Sequence, residues 1–336
     1  MKIGLFGGSF DPIHLGHLEV AKNALQQFAF DEIWFLLALY APLKDDEPIS
    51  FIDRYAMLKI AIGNNEHFKI CTIEKDLPTP SYSANTLRYL IKEYPNNSFN
   101  FIIGDDQAAN IDKWHDYQYI EENAPFIVFN RFNLAHKYPR INNPLYLGAS
   151  SDIRQGNIQY LDQNVLKYIV DHQLYIKQMV KYQVSSKRFI HIESMYQCAL
   201  DINQYYHLDE HQIFMAIYFH DYTKDFNDER ILPYLSKENI EQPRGIWHQY
   251  ASANLLKKDF NYNDSDVYDA IYNHTTGDDD KMLSMLVFCC DKIEPSRGYD
   301  SSSLIDLAKK DLKEAFNLIR NQHINFVKEN YQNGRL

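Results

Sequence analysis

Two groups of residues in this 336-residue chain have the types and spacing that chemistry on phosphates requires. The first is the run Gly7-Gly8-Ser9-Phe10-Asp11-Pro12-Ile13-His14-Leu15-Gly16-His17. Its glycines let backbone amides come close to a phosphate, and the helix that follows offers N–H groups and the positive end of its dipole. His14 and His17 are three apart, so at a helix start both rings face one way. Two imidazoles so placed donate to phosphate oxygens without a fixed cation. The second group is dispersed: His191, His220-Asp221, His248, His274 and Asp291. His220-Asp221 closes the apolar run 214–219 and Asp291 closes 285–290, so polar side chains end helices that a core will bury. That is costly unless they are paired or bind a metal. Histidine and carboxylate without thiolate suit a catalytic ion such as Fe or Mn better than a structural zinc. His207, His211 and His323 read as ordinary surface or core histidines.

The elements that must hold these groups follow from hydrophobic period. Strands are expected at 2–6, 32–37, 68–73, 99–103 and 126–129, with helices at 15–28, 51–62, 84–94 and 162–172. Alternating strands and helices imply an α/β doubly wound parallel sheet, with the glycine run at the carboxyl end of its first strand, where such sheets bind ligand. From about residue 181 the spacing is helical throughout: 185–205, 208–221, 246–258, 264–273, 281–291 and 303–330. Breakers agree. Residues 1–180 hold 8 of 12 Gly and 9 of 12 Pro, which suits many strand–loop–helix joints, and the rest suits an all-α unit. Two domains are therefore expected, 1–180 and 181–336, joined without a flexible linker composition.

The net charge is −11, with 21 acids against 16 bases before residue 181 and 24 against 18 after it. Neither half is a basic patch, so no nucleic-acid partner is expected, and no apolar run approaches the ~20 residues of a membrane span. Four cysteines without C-x-x-C spacing fit a reducing, cytoplasmic setting.

The first run resembles the G-G-S-F-D-P-x-H-x-G-H signature of nucleotidyltransferases. Further matches follow in order: Pro42-Leu43-Lys44, with Arg54 and Met57 beyond it; Ser81-Tyr82-Ser83 with Thr86-Leu87; Gly104-Asp105-Asp106 through Trp114-His115; Asn130-Arg131; Ala149 to Arg154; and Val165–Tyr175. Over about 1–178 the chain is similar to the nicotinate-nucleotide adenylyltransferases. The resemblance implies transfer of the adenylyl group of ATP to nicotinate mononucleotide, giving deamido-NAD and pyrophosphate, with Mg2+ on the triphosphate. It implies catalytic roles for His14, His17, Lys44 and Arg154, and ATP contacts from Gly8, Ser9, Phe10, Asp106, Ser150 and Ser151. Ser83, Thr86, Trp114 and Arg131 are then candidates for the nicotinate nucleotide, Trp114 by stacking on the pyridine. Leu43 stands where the family carries histidine. Nicotinamide mononucleotide stays open as an alternative acceptor.

The order H…H-D…H…H…D resembles the HD-domain phosphohydrolases. The flanks Arg188-Phe189-Ile190-His191, His220 to Lys224, Trp247-His248, His274 to Gly277 and Asp291 to Arg297 are similar to the YqeK-type branch, which cleaves diadenosine tetraphosphate symmetrically to two ADP. The resemblance covers about 182–330. It implies one or two metal ions, with His191, His220, Asp221 and Asp291 on the first. His248 and His274 either complete a second metal site or meet substrate phosphates, and Lys224, Thr276 and Arg297 bind phosphate. Glu193 stands where the family has a small residue, either near the metal ligands or simply solvated. A nucleotide-sensing role, or another phosphorylated nucleotide as substrate, is the alternative for this half, and a homo-oligomer is left open.

Overall fold

The computed structural model describes residues 1–39, 48–78, 82–142 and 148–332. It divides into two compact units, 1–153 with 157–168, and 154–156 with 169–336.

The chain opens with β1 (Lys2–Gly8), α1 (Leu15–Gln27), β2 (Glu32–Leu37), α2 (Phe51–Ile62) and β3 (Phe68–Cys71). Next come α3 (Ser83–Glu93), β4 (Ser98–Gly104), the single turn α4 (Asp105–Ala108), α5 (Tyr117–Asn123), β5 (Phe126–Phe129), β6 (Arg140–Ile141) and α6 (Ser150–Arg154). The helix α7 (Gln163–Asp171) carries the chain from the first unit into the second. The six strands are all parallel, in the order β3-β2-β1-β4-β5-β6. Helices cover such a sheet on both faces, so its strands are apolar on both faces, as Ile3–Phe6 and Phe126–Val128 are. Between β1 and β4 the direction of winding reverses. The carboxyl ends of those strands, Gly7-Gly8 and Gly104, therefore flank the crevice where a doubly wound sheet takes its ligand.

The second unit is helical: α8 (Ile176–Gln183), α9 (Ser186–Asn203), α10 (Glu210–His220), α11 (Asp228–Ile231), α12 (Lys237–Ile240), α13 (Trp247–Asp259), α14 (Ser265–Tyr272), α15 (Met282–Ile293), α16 (Ser302–Lys310) and α17 (Leu312–Gln332). The last turns of α10 and α15 are buried on every side, as their unbroken apolar sequences require. Among the described residues no helix is long and apolar enough to cross a membrane.

The fold class is that implied by the sequence, an α/β doubly wound parallel sheet followed by an all-α unit, with local differences. The third strand stops at Cys71 instead of 73, because Ile73–Asp76 turns into a 3-10 helix that buries Glu74 against Thr86. The helix expected over 303–330 is broken at Asp311. There the Tyr206 hydroxyl donates to the Ala308 carbonyl at 2.7 Å and accepts from the Leu312 amide at 2.7 Å, satisfying groups that the break leaves open.

Candidate active sites

His14 is the N-cap of α1 and His17 its third residue, so the two rings lie together with centroids 3.7 Å apart. His17 Nδ1 accepts from the His14 amide at 3.3 Å, a capping pattern that usually uses Glu or Gln at this position. That bond puts the ring proton of His17 on Nε2, as a donor. The first turn of α1 holds no acidic residue, so its positive end is uncompensated and available to an anion. Burial, and next the Arg131 guanidinium, press His14 from its ordinary value down to about 3. Arg131 therefore shares the neighbourhood of His14, and the His14 imidazole stays neutral.

The loop before α1 is held from beneath. Arg54, fully buried on α2, donates to the Ser9 carbonyl at 2.9 Å, to Ala38 at 2.7 Å and to Ile49 at 3.0 Å. Phe10 is buried against Phe6, Phe35 and His17, so its ring shapes the loop from inside. A Cβ on Gly8 would sit 3.1 Å from that ring, closer than side chains pack comfortably. Ser150 Oγ donates to the Pro12 carbonyl at 2.9 Å, which ties its hydroxyl to the loop, whereas Ser151 is exposed. Lys44 and Ser81 lie outside the described residues. Arg154, half-buried at the end of α6, is grouped with the second unit.

Across the crevice, Asp106 pairs with Arg131 at 3.3 Å through Oδ2, while its Oδ1 is buried without a partner among the described residues. Ser83 opens α3 and is half-buried, and Trp114 packs edge-on against Phe126 with part of its ring exposed. Thr86, expected near the nicotinate nucleotide, is fully buried and its hydroxyl donates to Glu74 at 3.4 Å.

Asp105 is a residue that the sequence reading passed over. Its fully buried carboxylate accepts from the amides of Arg131, at 3.2 Å, Phe132, at 3.1 Å, and Leu134, at 2.9 Å, across 26 to 29 residues. The only available signal was a second acid in Gly104-Asp105-Asp106. Removing it leaves three half-buried amides without their acceptor, each costing about 1 kcal/mol or more. Asp105→Ala is expected to lower stability by about 3 kcal/mol in urea unfolding, whereas a loss under about 0.5 kcal/mol would mean that the loop holds itself.

In the second unit, α9, α10, α13, α14 and α15 bring His191, His220, Asp221, His248, His274 and Asp291 to one neighbourhood. The ring nitrogens are oriented by their outer contacts. His220 Nδ1 donates to the Ile217 carbonyl at 2.6 Å, and His274 Nδ1 to that of Ile271 at 2.7 Å. His191 Nδ1 donates to the Glu294 carboxylate at 2.8 Å. In each ring the lone pair is then on Nε2, pointing inward. His191, His220 and Asp221 offer ligand atoms within 4.8 Å of one another, and so do Asp221, His248 and His274. Asp221 belongs to both groups. Its Oδ1 lies 3.2 Å from His248 Nε2 and 3.7 Å from His274 Nε2, and its Oδ2 pairs with Arg188 at 2.6 Å.

This donor set fits a divalent cation. His220 Nε2 is buried with no hydrogen-bond partner among the described residues, an orphan that a metal would satisfy. Burial first, then neighbouring imidazoles, presses His220 down to about 4, so it is neutral and ready to ligate. Burial alone would raise Asp221, but His220, His274 and His248 bring it well below the usual carboxylate range. Asp291 Oδ1 lies 3.2 Å from His191 Nε2, and its oxygens also pair with Lys292 at 2.6 Å and Arg297 at 2.5 Å. Lys224 Nζ sits 3.0 and 3.2 Å from the two ring nitrogens of His248, and the Thr276 hydroxyl is buried without a partner among the described residues. Glu193 is not simply solvated: it accepts from the Tyr218 hydroxyl and lies 3.8 Å from Lys177.

Stability should follow these histidines. His14 and His220 titrate at about 3 and about 4 when folded and at about 6.5 when unfolded, so between those values the unfolded chain binds the extra protons. Stability is therefore intact above pH 6.5 and falls below it, by roughly 1.4 kcal/mol per pH unit for each such group. His191 is raised and acts in the opposite sense, losing its contribution as pH rises. Metal-stripped protein should melt several degrees lower at pH 5 than at pH 7, and an equal or higher melting temperature at pH 5 would contradict the assignment.

Comparisons with known proteins agree on two halves. The cytidylyltransferase-like family model matches residues 5–192 and the HD domain model matches residues 188–329. A protein of Mycoplasma pneumoniae named probable nicotinate-nucleotide adenylyltransferase/Ap4A hydrolase is 28% identical, over 94% of this chain and 96% of its own length. One of the same name from Mycoplasma genitalium is 29% identical over 98% and 99%. Among solved structures, the nicotinic acid mononucleotide adenylyltransferase of Plasmodium falciparum complexed with NaAD matches with a TM-score of 0.44 and 25% identity, over 52% of this chain and 97% of that one.

Proposed function

From the premise that this chain belongs to the cytidylyltransferase-like family, we propose that it is an enzyme with two active centres. The first transfers the adenylyl group of ATP to nicotinate mononucleotide, and the second hydrolyses diadenosine tetraphosphate to two ADP with a divalent metal. The reading is supported by the two Mycoplasma relatives, whose names join both activities over nearly the whole chain. The observation that carries it is the coexistence of the His14–His17 pair at the reversal point of the sheet with two histidine–aspartate groups that share Asp221.

In the first reaction the mononucleotide phosphate oxygen bonds to the α-phosphorus of ATP, and the bond from that phosphorus to the bridging oxygen of pyrophosphate breaks. Such transfer needs positioning and charge stabilisation more than covalent help. Neutral His14 and the Nε2–H of His17 donate to oxygens around the reacting phosphorus, beside the first amides of α1. Asp106 Oδ1 offers an acceptor to a nucleotide hydroxyl. Arg131 supplies positive charge for the pyridine nucleotide, for which Trp114 and Ser83 are the further candidate contacts.

In the second reaction His191, His220 and Asp221 would hold one divalent ion, with Asp221, His248 and His274 able to hold another. Such an ion, whether Fe or Mn, makes a bound water nucleophilic near neutral pH. The chain's own cations Lys224 and Arg297, with the Thr276 hydroxyl, would neutralise and orient the polyphosphate.

The test is to supply ATP and Mg2+ with nicotinate mononucleotide or nicotinamide mononucleotide, then diadenosine tetraphosphate with Fe2+ or Mn2+. Deamido-NAD as the preferred dinucleotide and metal-dependent ADP release are expected. Preference for the amide, or hydrolysis that survives a chelator, would overturn the respective half.

A further inference from the structure

We propose that Glu294 is the positioning residue that sets how strongly His191 holds a metal ion, an inference that rests on reading the His191–His220–Asp221 group as a metal centre. Three histidines turn Nε2 inward, and their outer nitrogens are held differently. His220 and His274 donate to carbonyls three residues back, at 2.6 and 2.7 Å. His191 alone of the three donates to a carboxylate, Glu294 Oε1 at 2.8 Å, from 103 residues away in sequence. Glu294 is fully buried, and its other contacts aim it. Oε2 accepts from the Ser296 amide at 2.6 Å and Oε1 from the Ser296 hydroxyl at 2.8 Å, with Arg297 Nε at 3.7 Å. The carboxylate therefore stays where the ring needs it, even though it also caps the short turn Pro295–Arg297.

A carboxylate behind an imidazole fixes its tautomer and orientation and makes the opposite nitrogen a stronger donor than a carbonyl does. His191 comes from α9, whereas His220 and Asp221 stand next to each other at the end of α10. It is the ligand that must be brought in from another helix, so its orientation governs closure of the group. Glu294 sits just past α15, three residues after Asp291, and joins that helix end to α9.

The test uses the full-length protein, stripped of metal and titrated with Co2+ in competition with a chromophoric chelator. Wild type is expected to bind, Glu294→Ala to bind about 10- to 100-fold more weakly, and Glu294→Gln to fall between, since its amide oxygen still accepts from Nδ1 without the charge. Ser296→Ala removes one of the contacts that aim Oε1 but keeps the carboxylate and the Ser296 amide, so it should bind between wild type and Glu294→Ala. Far-UV circular dichroism and thermal melting report folding of the helical unit, and adenylyl transfer should be unchanged in all four. Affinity within twofold of wild type in folded Glu294→Ala, or in Glu294→Gln if the alanine variant does not fold, overturns the inference. If wild type takes up no Co2+, the metal-centre reading itself falls, a result distinct from the first.

Discussion

Replacing Asp221 by asparagine is expected to reduce hydrolysis of diadenosine tetraphosphate by about 10³-fold or more, while adenylyl transfer stays within about twofold of wild type. Outer partners of metal ligands alone are worth roughly 10- to 100-fold, and Asp221 is proposed as a ligand itself, belonging to both histidine groups. Its carboxylate sits 3.2 Å from His248 and 3.7 Å from His274, and the amide nitrogen of asparagine would turn a donor toward nitrogens that must donate their own lone pairs. Arg188, which pairs with Asp221 at 2.6 Å, keeps Asp225 at 3.3 Å, so the surrounding ion pairs do not collapse. Retention of more than a tenth of wild-type hydrolysis would mean that Asp221 is not the shared ligand.

The converse substitution, His17→Ala, is expected to lower kcat for deamido-NAD formation by about 10²–10³-fold, the range found when one preorganised donor to developing charge is removed. Hydrolysis should persist. The His17 ring packs 5.1 Å from Phe10 and 5.9 Å from Phe6 and accepts the His14 amide, so alanine also loosens the cap of α1. His17→Asn separates the two effects, since it retains a side-chain acceptor for the cap but not the Nε2–H at the reacting phosphorus. Both variants should lose kcat, and recovery of activity in the asparagine variant would assign His17 to capping alone.

Much of this was legible in the sequence because the chemistry stands on strong local patterns. Gly7-Gly8 after an apolar strand and His14/His17 at a helix start locate the first crevice, and continuous apolar runs ending in His220-Asp221 and Asp291 announce buried polar groups. What escaped depends on contacts made far along the chain. Asp105 looks like one acid beside another until the loop 131–134 folds back on it. The break in the last helix rests on Tyr206, more than 100 residues before Leu312. Thr86 and Phe10 match the motif and are both buried, which residue type alone does not reveal. Asp291 follows the pattern of a ligand and lies 3.2 Å from His191 Nε2, while its contacts with Lys292 and Arg297 are not announced by the pattern.

The central claim is that one chain runs two phosphorus reactions in two separate centres. The most direct measurement is 31P NMR of a single sample containing the full-length protein stripped of transition metal, ATP, Mg2+, nicotinate mononucleotide and diadenosine tetraphosphate, recorded before and after addition of Mn2+ and quenched with chelator to sharpen the lines. Deamido-NAD and pyrophosphate are expected from the outset, with ADP as the only tetraphosphate product once Mn2+ is present. Absence of deamido-NAD, or cleavage of the tetraphosphate to AMP and ATP, would contradict it.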